Sequence, residues 1–208
     1  MKSYSAYFIQ AASVAELESR AGGAKPLASL FNAVAVPGSK WIVCGYDTQA
    51  APPEDDALLG TESLTLEKSK TLGDVIHLFA DRSTEGFFYE HSKDGVLQRK
   101  LVWFPLLEAA GTPGWICVQG NSEPWEEPLF FTTKRLDEVL RFSQLGYEDR
   151  EMDGEAGALA QSPARESVIR EIWAKRELAE KSTLPSGDHT VALVVEKHFG
   201  LALPPSQK

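Results

Sequence analysis

An Asp-Gly dipeptide between two apolar runs constrains the fold of this chain more than any other stretch of its sequence. Asp94 and Gly95 separate an aromatic run from a second run rich in Leu and Val, and a third apolar run follows Pro113 and Gly114. Asp-Gly favours a tight hairpin turn, because glycine adopts a positive φ without a clash at Cβ. The stretch therefore predicts an antiparallel meander of three strands, at residues 86–90, 96–104 and 114–119.

Two strands and a capped helix are predicted before the meander. The runs at residues 4–9 and 41–46 are rich in aromatic and β-branched residues, as is typical of strands. Ser13 and Glu16 match a capping box, in which the Ser13 hydroxyl accepts from the Glu16 amide and the Glu16 carboxylate reaches back to the Ser13 amide. Residues 72–79 fit a strand or a short helix equally well, because so short an apolar run does not separate the two periods.

Two other stretches of the first half predict less regular structure. Residues 27–34 indicate a second short helix that ends before Pro37 and Gly38. Residues 50–61 are rich in proline and acidic residues, which favours an exposed loop.

Helical patterns dominate the last third of the chain. Thr133 is a candidate helix cap, Ser162 and Pro163 are a favourable start for a helix that runs to about residue 180, and Asp188 begins a last helix. The middle helix has an apolar stripe of Val168, Ile169, Ile172 and Trp173.

Helices that follow an antiparallel sheet predict an α+β fold, here with a central meander and helices mainly in the C-terminal third. A stretch rich in acidic residues and glycine precedes the last helices. We therefore expect an α+β domain at residues 1–145, an acidic loop or linker at 146–160, and a helical segment at 161–208 that packs on the same domain.

The charge balance argues against direct binding to nucleic acid. The formal net charge is −9, and no run of Lys and Arg provides the cationic footprint that phosphates require. No secretory segment follows Met1, and no apolar run approaches the length of a membrane span. Cys44 and Cys117 lie in apolar runs, as is typical of buried free thiols. We expect a cytoplasmic protein that contacts neither nucleic acid nor membrane.

No catalytic or metal-binding motif is evident in the sequence. Glycine-rich phosphate loops and a GxSxG nucleophile elbow are missing, and the histidines do not cluster. Arg99 and Lys100 point to opposite sides of a predicted strand, and pairing across the hairpin with Glu90 is their expected role. We expect no catalytic set, no metal and no cofactor. The four histidines are His77, His91, His189 and His198.

One pattern in the meander resembles a known group of sequences. The order DGxLxRKLxW followed by GWxxxxGxxEPWExxLFF, at residues 94–103 and 114–131, resembles a pattern in uncharacterised bacterial cytosolic proteins with no assigned activity. In size, acidity and lack of a catalytic set, the chain is also similar to immunity proteins that neutralise toxins of bacterial secretion systems. The second resemblance implies a protein partner, namely a cognate toxin with a basic surface.

The sequence thus favours a non-catalytic protein-binding module, an immunity or antitoxin-like inhibitor that occludes a basic toxin site. Acidic groups accelerate encounter with a cationic surface, and a buried aromatic anchor supplies affinity. Two alternatives stay open: a small-ligand-binding protein or enzyme with a pocket between the sheet and the C-terminal helices, and a scaffold within a larger assembly. The candidate partner contacts are one aromatic anchor and a set of acidic residues, Trp125, Glu126, Glu127, Glu54, Asp55, Asp56, Glu148 and Asp149.

Overall fold

The computed structural model describes residues 3–22, 32–81, 86–103 and 115–126, together with residues 167, 170, 171 and 174. These residues form a seven-stranded antiparallel sheet with the strand order β2-β3-β1-β4-β5-β6-β7. The strands are β1 (Ser3–Gln10), β2 (Val34–Ala35), β3 (Trp41–Asp47), β4 (Asp74–Asp81), β5 (Gly86–Lys93), β6 (Val96–Trp103) and β7 (Trp115–Gly120).

The predicted meander is confirmed as β5, β6 and β7, three strands that are consecutive in sequence and adjacent in the sheet. At the turn between β5 and β6, Asp94 has a φ of 50° and Gly95 a φ of 78°. Positive φ at both central residues is the geometry of the hairpin turn that Asp-Gly favours. The strands expected at residues 4–9 and 41–46 are also confirmed, and the ambiguous run 72–79 belongs mainly to β4.

Three short helices pack against one face of the sheet. They are α1 (Val14–Arg20), α2 (Asp55–Leu58) and α3 (Leu66–Leu72). Leu17 and Leu72 join a cluster with Ile9, Ile42 and Val75 of the sheet. A second cluster places α2 on the neighbouring part of that face and contains Ala57, Leu58, Phe79, Phe88, Val102 and Cys117.

The prediction of an α+β fold with helices mainly in the C-terminal third was wrong. The described structure is mostly antiparallel sheet, and its helices lie in the N-terminal and middle part of the chain. The topology supplies the reason. β3 and β4 lie on either side of β1, so the connection between them must cross a face of the sheet, and that connection contains α2 and α3.

One of the two hydrogen bonds predicted for the capping box at α1 is confirmed. The Glu16 amide donates to Ser13 Oγ at 3.1 Å, but the Glu16 carboxylate accepts from the amide of Ala12, at 2.8 Å, and not from that of Ser13. The exposed loop expected at residues 50–61 was wrong for Asp55–Leu58, which form α2. Ala57 and Leu58 follow the acidic residues and bury themselves in the core, which stabilises this helical turn.

Several predictions fall on residues outside the described ones. These are the helices that start at Thr133 and Asp188, the linker at 146–160 and most of the segment 161–208. Of the helix predicted from Ser162, the described positions 167, 170, 171 and 174 are helical and exposed. In the stretch 27–34, Val34 belongs to β2 and not to a helix. The predicted division of the chain into three segments stays a prediction.

Candidate functional site

Two of the predicted partner contacts are buried. Trp125 is 7% exposed, and its ring lies 4.9 Å from that of Tyr89. Glu126 is fully buried, although the sequence placed it on the surface. The chain after β7 turns back onto the sheet and carries both side chains inward. Their burial removes Trp125 and Glu126 from the set of surface contacts.

The remaining predicted contacts divide into an exposed group and a group outside the described residues. Glu54, Asp55 and Asp56 are exposed at the start of α2. We call these three residues the acidic surface. The outside group consists of Glu127, Glu148 and Asp149.

Glu126 is held by a two-pronged contact with Arg99 of β6. Arg99 Nε donates to Glu126 Oε1 at 2.8 Å, and Arg99 Nη2 donates to Glu126 Oε2 at 2.7 Å. Arg99 Nη1 also donates to the carbonyl of Gly120 at 2.8 Å. A Cβ on Gly120 would lie 2.0 Å from the carbonyl oxygen of Gln98, so this close approach requires glycine. The pair ties the segment after β7 to the sheet.

His91 lies between two carboxylates on the same face. Its Nε2 is 2.7 Å from Asp74 Oδ1, and its Nδ1 is 2.5 Å from Glu123 Oε1. Burial alone would lower the pKa of His91, but its hydrogen bonds to Asp74 and Glu123 raise that pKa to about 9. Both ring nitrogens therefore carry protons at neutral pH, so His91 can act neither as a general base nor as a metal ligand.

Glu123 is the centre of this polar group. Tyr89 Oη and Trp125 Nε1 both donate to Glu123 Oε2, at 2.6 and 2.7 Å. Burial alone would raise the pKa of Glu123, but the hydrogen bonds from His91, Tyr89 and Trp125 lower it. We call Asp74, His91, Glu123 and the Arg99–Glu126 pair the return network, because it fastens the returning segment 121–126.

The opposite face carries a second buried polar group. Lys100 Nζ lies 2.8 Å from Glu90 Oε2 and donates to the carbonyl of Glu62 at 2.6 Å. Glu90 Oε1 accepts from Ser63 Oγ, and from the amide and the hydroxyl of Thr65, at 2.7 to 2.8 Å. This confirms the predicted pairing of Lys100 with Glu90. We call this group the crossover network, because Glu62 to Thr65 belong to the connection from β3 to β4.

His77 of β4 also lies on the face of the crossover network. Its ring is stacked 4.4 Å from Tyr7, and its Nε2 lies 3.2 Å from Ser5 Oγ. Burial lowers the pKa of His77 to about 3, so the ring is neutral. The two described histidines, His77 and His91, therefore have opposite charge states, although they lie on adjacent strands.

The described residues offer no evident catalytic nucleophile or metal centre. Cys44 and Cys117 are buried and form no disulfide, and burial raises the pKa of Cys44 to about 12. Such a thiol is a poor nucleophile near neutral pH. In the described ranges, no group of three or more His, Cys, Asp or Glu side chains could hold a metal ion. Within the same ranges, no helix has the length and apolar character needed to cross a membrane.

Sequence reasoning missed the return network. The signal was present in the run Glu90, His91 and Ser92, where polar residues occupy both sides of a strand and lie opposite Arg99 and Lys100. Polar side chains on both sides of a central strand imply buried partners on each face. Asp74 and Glu123 give no comparable signal, because their distance from His91 depends on strand register and on the path of the chain after β7.

The sequence matches no protein-family model, and searches of curated proteins and of solved structures found no match. The resemblances of the sequence therefore stay predictions.

Proposed function

We propose that this protein is a non-catalytic protein-binding module of the cytoplasm, an immunity-like inhibitor that occludes a basic site on a toxin. The observation that carries the proposal is the presentation of Glu54, Asp55 and Asp56 on a helix that the core holds in place.

The acidic surface is preorganised. Ala57 and Leu58 are 1% and 2% exposed, and they anchor α2 against Phe79, Phe88 and Val102. The turn after α2 is closed by amides of residues 61 and 62, which both donate to the carbonyl of Asp56. A surface that is already ordered loses little conformational entropy on binding, so more of its contact energy appears as affinity.

The acidic surface also combines charge with an apolar neighbour. Glu54 and Asp55 are exposed and make no hydrogen bond or ion pair with another side chain among the described residues. Leu59, directly after α2, is 53% exposed. Binding sites commonly pair an apolar centre with a charged rim. The free carboxylates would attract a cationic partner, and Leu59 would supply apolar contact.

The buried ionisable groups support a structural role for the sheet interior. Glu90, Glu123 and Glu126 all have several partners inside the protein. A general acid or base needs a proton that it can exchange with a bound substrate. The acidic surface is the better candidate for function, because its carboxylates are accessible.

The proposal predicts association that is steered by charge. The experiment has two steps: capture of the partner from the source cells with the tagged full chain, then stopped-flow association of the purified pair at low and high salt. Asp55→Lys should slow association by roughly threefold to tenfold at low salt, and high salt should reduce the difference, because exposed charges are screened. Glu18→Lys on α1 is the matched control, because it makes the same charge change at another exposed position.

An association rate that is indifferent to salt, or equal slowing by Glu18→Lys and Asp55→Lys, would contradict steering by the acidic surface. Turnover of a small substrate by the isolated chain would favour the alternative, a ligand-binding protein or enzyme. The pocket expected for that alternative, between the sheet and the C-terminal helices, involves residues outside the described ones.

A further inference from the structure

A cleft of about 480 Å³, with several charged side chains in its lining, opens at one end of the sheet beside Asp74 of the return network. It lies where β1 ends, β4 begins and β5 ends, beside α1 and the turn before β3. A volume of this size is within the range of pockets for small metabolites. The lining residues are Gln10, Ala11, Ala12, Glu16, Arg20, Ser39, Lys40, Asp74 and Lys93.

Three charged side chains of the cleft already have hydrogen-bond partners within the protein. Arg20 Nη1 donates to the carbonyls of Gln10 and Leu72 at 2.9 and 3.0 Å, and Arg20 Nη2 pairs with Glu16. The second oxygen of Glu16 accepts from the Ala12 amide. Asp74 is hydrogen-bonded to the His91 imidazolium. These contacts fix the wall of the cleft and neutralise both of its carboxylates.

Two ammonium groups of the cleft have only loose contacts within the protein. Lys40 Nζ lies 5.2 Å from the ring centroid of Trp41, and Lys93 Nζ lies 4.0 Å from Asp74 Oδ2, beyond hydrogen-bond distance. Ser39 Oγ accepts from the Trp41 amide at 3.1 Å, which leaves its hydroxyl proton free to donate. Lys40, Lys93 and Ser39 therefore present donors to one cleft, although Lys93 forms a loose ion pair with Asp74 and Lys40 lies over the Trp41 ring.

The charge of the cleft opposes that of the whole chain. Its lining has three cations, Arg20, Lys40 and Lys93, against the carboxylates of Glu16 and Asp74, whereas the chain as a whole carries a formal charge of −9. Cationic donors in a recess are complementary to a small anion. Lysine binds phosphate as a compact point charge, whereas planar carboxylates are best matched by the fork of a free arginine, and Arg20 is already engaged.

We propose that this cleft binds a small soluble phosphate compound, with Lys40 and Lys93 as the ligand-binding cations and Ser39 as a hydrogen-bond donor. The site is independent of the acidic surface on α2, so neither proposal rests on the other. Arg20, Glu16 and Asp74 hold the shape of the site and do not themselves contact the ligand's phosphate.

The test is isothermal titration of the full chain with inorganic pyrophosphate, inorganic phosphate and succinate, at an ionic strength held constant with sodium chloride. We expect pyrophosphate to bind most tightly, and we expect Lys40→Met/Lys93→Met to weaken it at least about tenfold. Lys70→Met is the control, because Lys70 and Lys93 are both 54% exposed and both lie beside a carboxylate, but Lys70 is not one of the residues that line the cleft. The Lys70→Met variant should bind pyrophosphate as tightly as the wild type does.

Thermal melts in sodium chloride without any of the three probes show whether the variants stay folded. We expect that they do, because the substituted side chains are exposed. The proposal is overturned if the wild type binds none of the three probes, or if Lys70→Met weakens binding as much as the double variant. Succinate that binds as tightly as pyrophosphate would overturn the assignment to phosphate. Unchanged partner association in the double variant is expected whatever the result for the acidic surface.

Discussion

The two faces of the sheet bury charge in different ways, although the cations on both come from one dipeptide, Arg99-Lys100. Lys100 pairs with Glu90, which lies directly opposite it on the neighbouring strand. Arg99 pairs with Glu126, which lies 27 residues further along the chain and outside the sheet. Each network fastens a connecting segment to the sheet. The difference is that the Lys100–Glu90 pair joins adjacent strands, whereas the Arg99–Glu126 pair depends on a turn after β7.

The two described histidines, one on each face of the sheet, also differ in charge state. His77 lies among aromatic rings and stays neutral, whereas His91 lies between carboxylates and stays charged. A buried ionisable group thus takes the charge state that its partners stabilise, and not the state of the same residue in water. The contrast between the two faces leads to four measurements.

The largest expected loss of stability follows from removal of Arg99 from the return network. Arg99→Met leaves Glu126 buried with one amide donor, from Glu123, in place of its ion pair. We expect a loss of about 3–5 kcal/mol in the free energy of unfolding, measured by urea denaturation. The double variant Arg99→Met/Glu126→Leu should recover much of that loss, since no unpaired charge remains. A loss below about 1 kcal/mol, as for an exposed ion pair, would contradict the description of this pair as buried.

Removal of Lys100, the cation of the crossover network, should lower the free energy of unfolding by less than removal of Arg99. In Lys100→Met, Glu90 keeps three donors, from Ser63 Oγ and from the amide and hydroxyl of Thr65. We expect a loss of about 2–3 kcal/mol by the same urea experiment, which is the scale of a lost hydrogen bond to a charged group. Lys70→Met, which breaks an exposed pair with Glu67, is the control and should change stability little. A larger loss for Lys100→Met than for Arg99→Met would reverse the comparison.

The contribution of His91 to stability should be smaller and should depend on pH. Because the pKa of His91 is raised from 6.5 to about 9 in the folded protein, its contribution to stability is complete below pH 6.5 and is lost as the pH rises through 9. His91→Gln should therefore cost about 1–2 kcal/mol near pH 6 and much less above pH 9. Urea denaturation of both proteins across this range measures the difference. A constant difference would show that His91 acts through packing and not through its charge.

The sequence predicted the features that depend on neighbouring residues. Asp94 and Gly95 specify their turn through positive φ, and the turn pairs Lys93 with Val96 and Ser92 with Leu97. Ser13 specifies the start of α1 for the same local reason. These interactions span few residues, so a single sequence is enough to recognise them.

The features that depend on distant residues were missed. The acidic run before α2 resembles a solvated loop, and only the burial of Ala57 and Leu58 against the sheet makes it helical. The pattern around Trp125 and Glu126 resembles an exposed turn, and its burial follows from contacts with Tyr89 and Arg99. Tertiary packing decided both cases, and no local pattern reports it.

The partners of each buried histidine decide its charge state, and the ring signals of His77 and His91 in an NMR pH titration test this most directly. We predict that the pKa of His91 is about 9 and that His77 stays neutral down to a pKa of about 3. Replacement of each histidine by glutamine assigns the signals. Titration of both rings near 6.5, the ordinary value for histidine, would contradict the account, because it would mean that neither ring has the partners described for it.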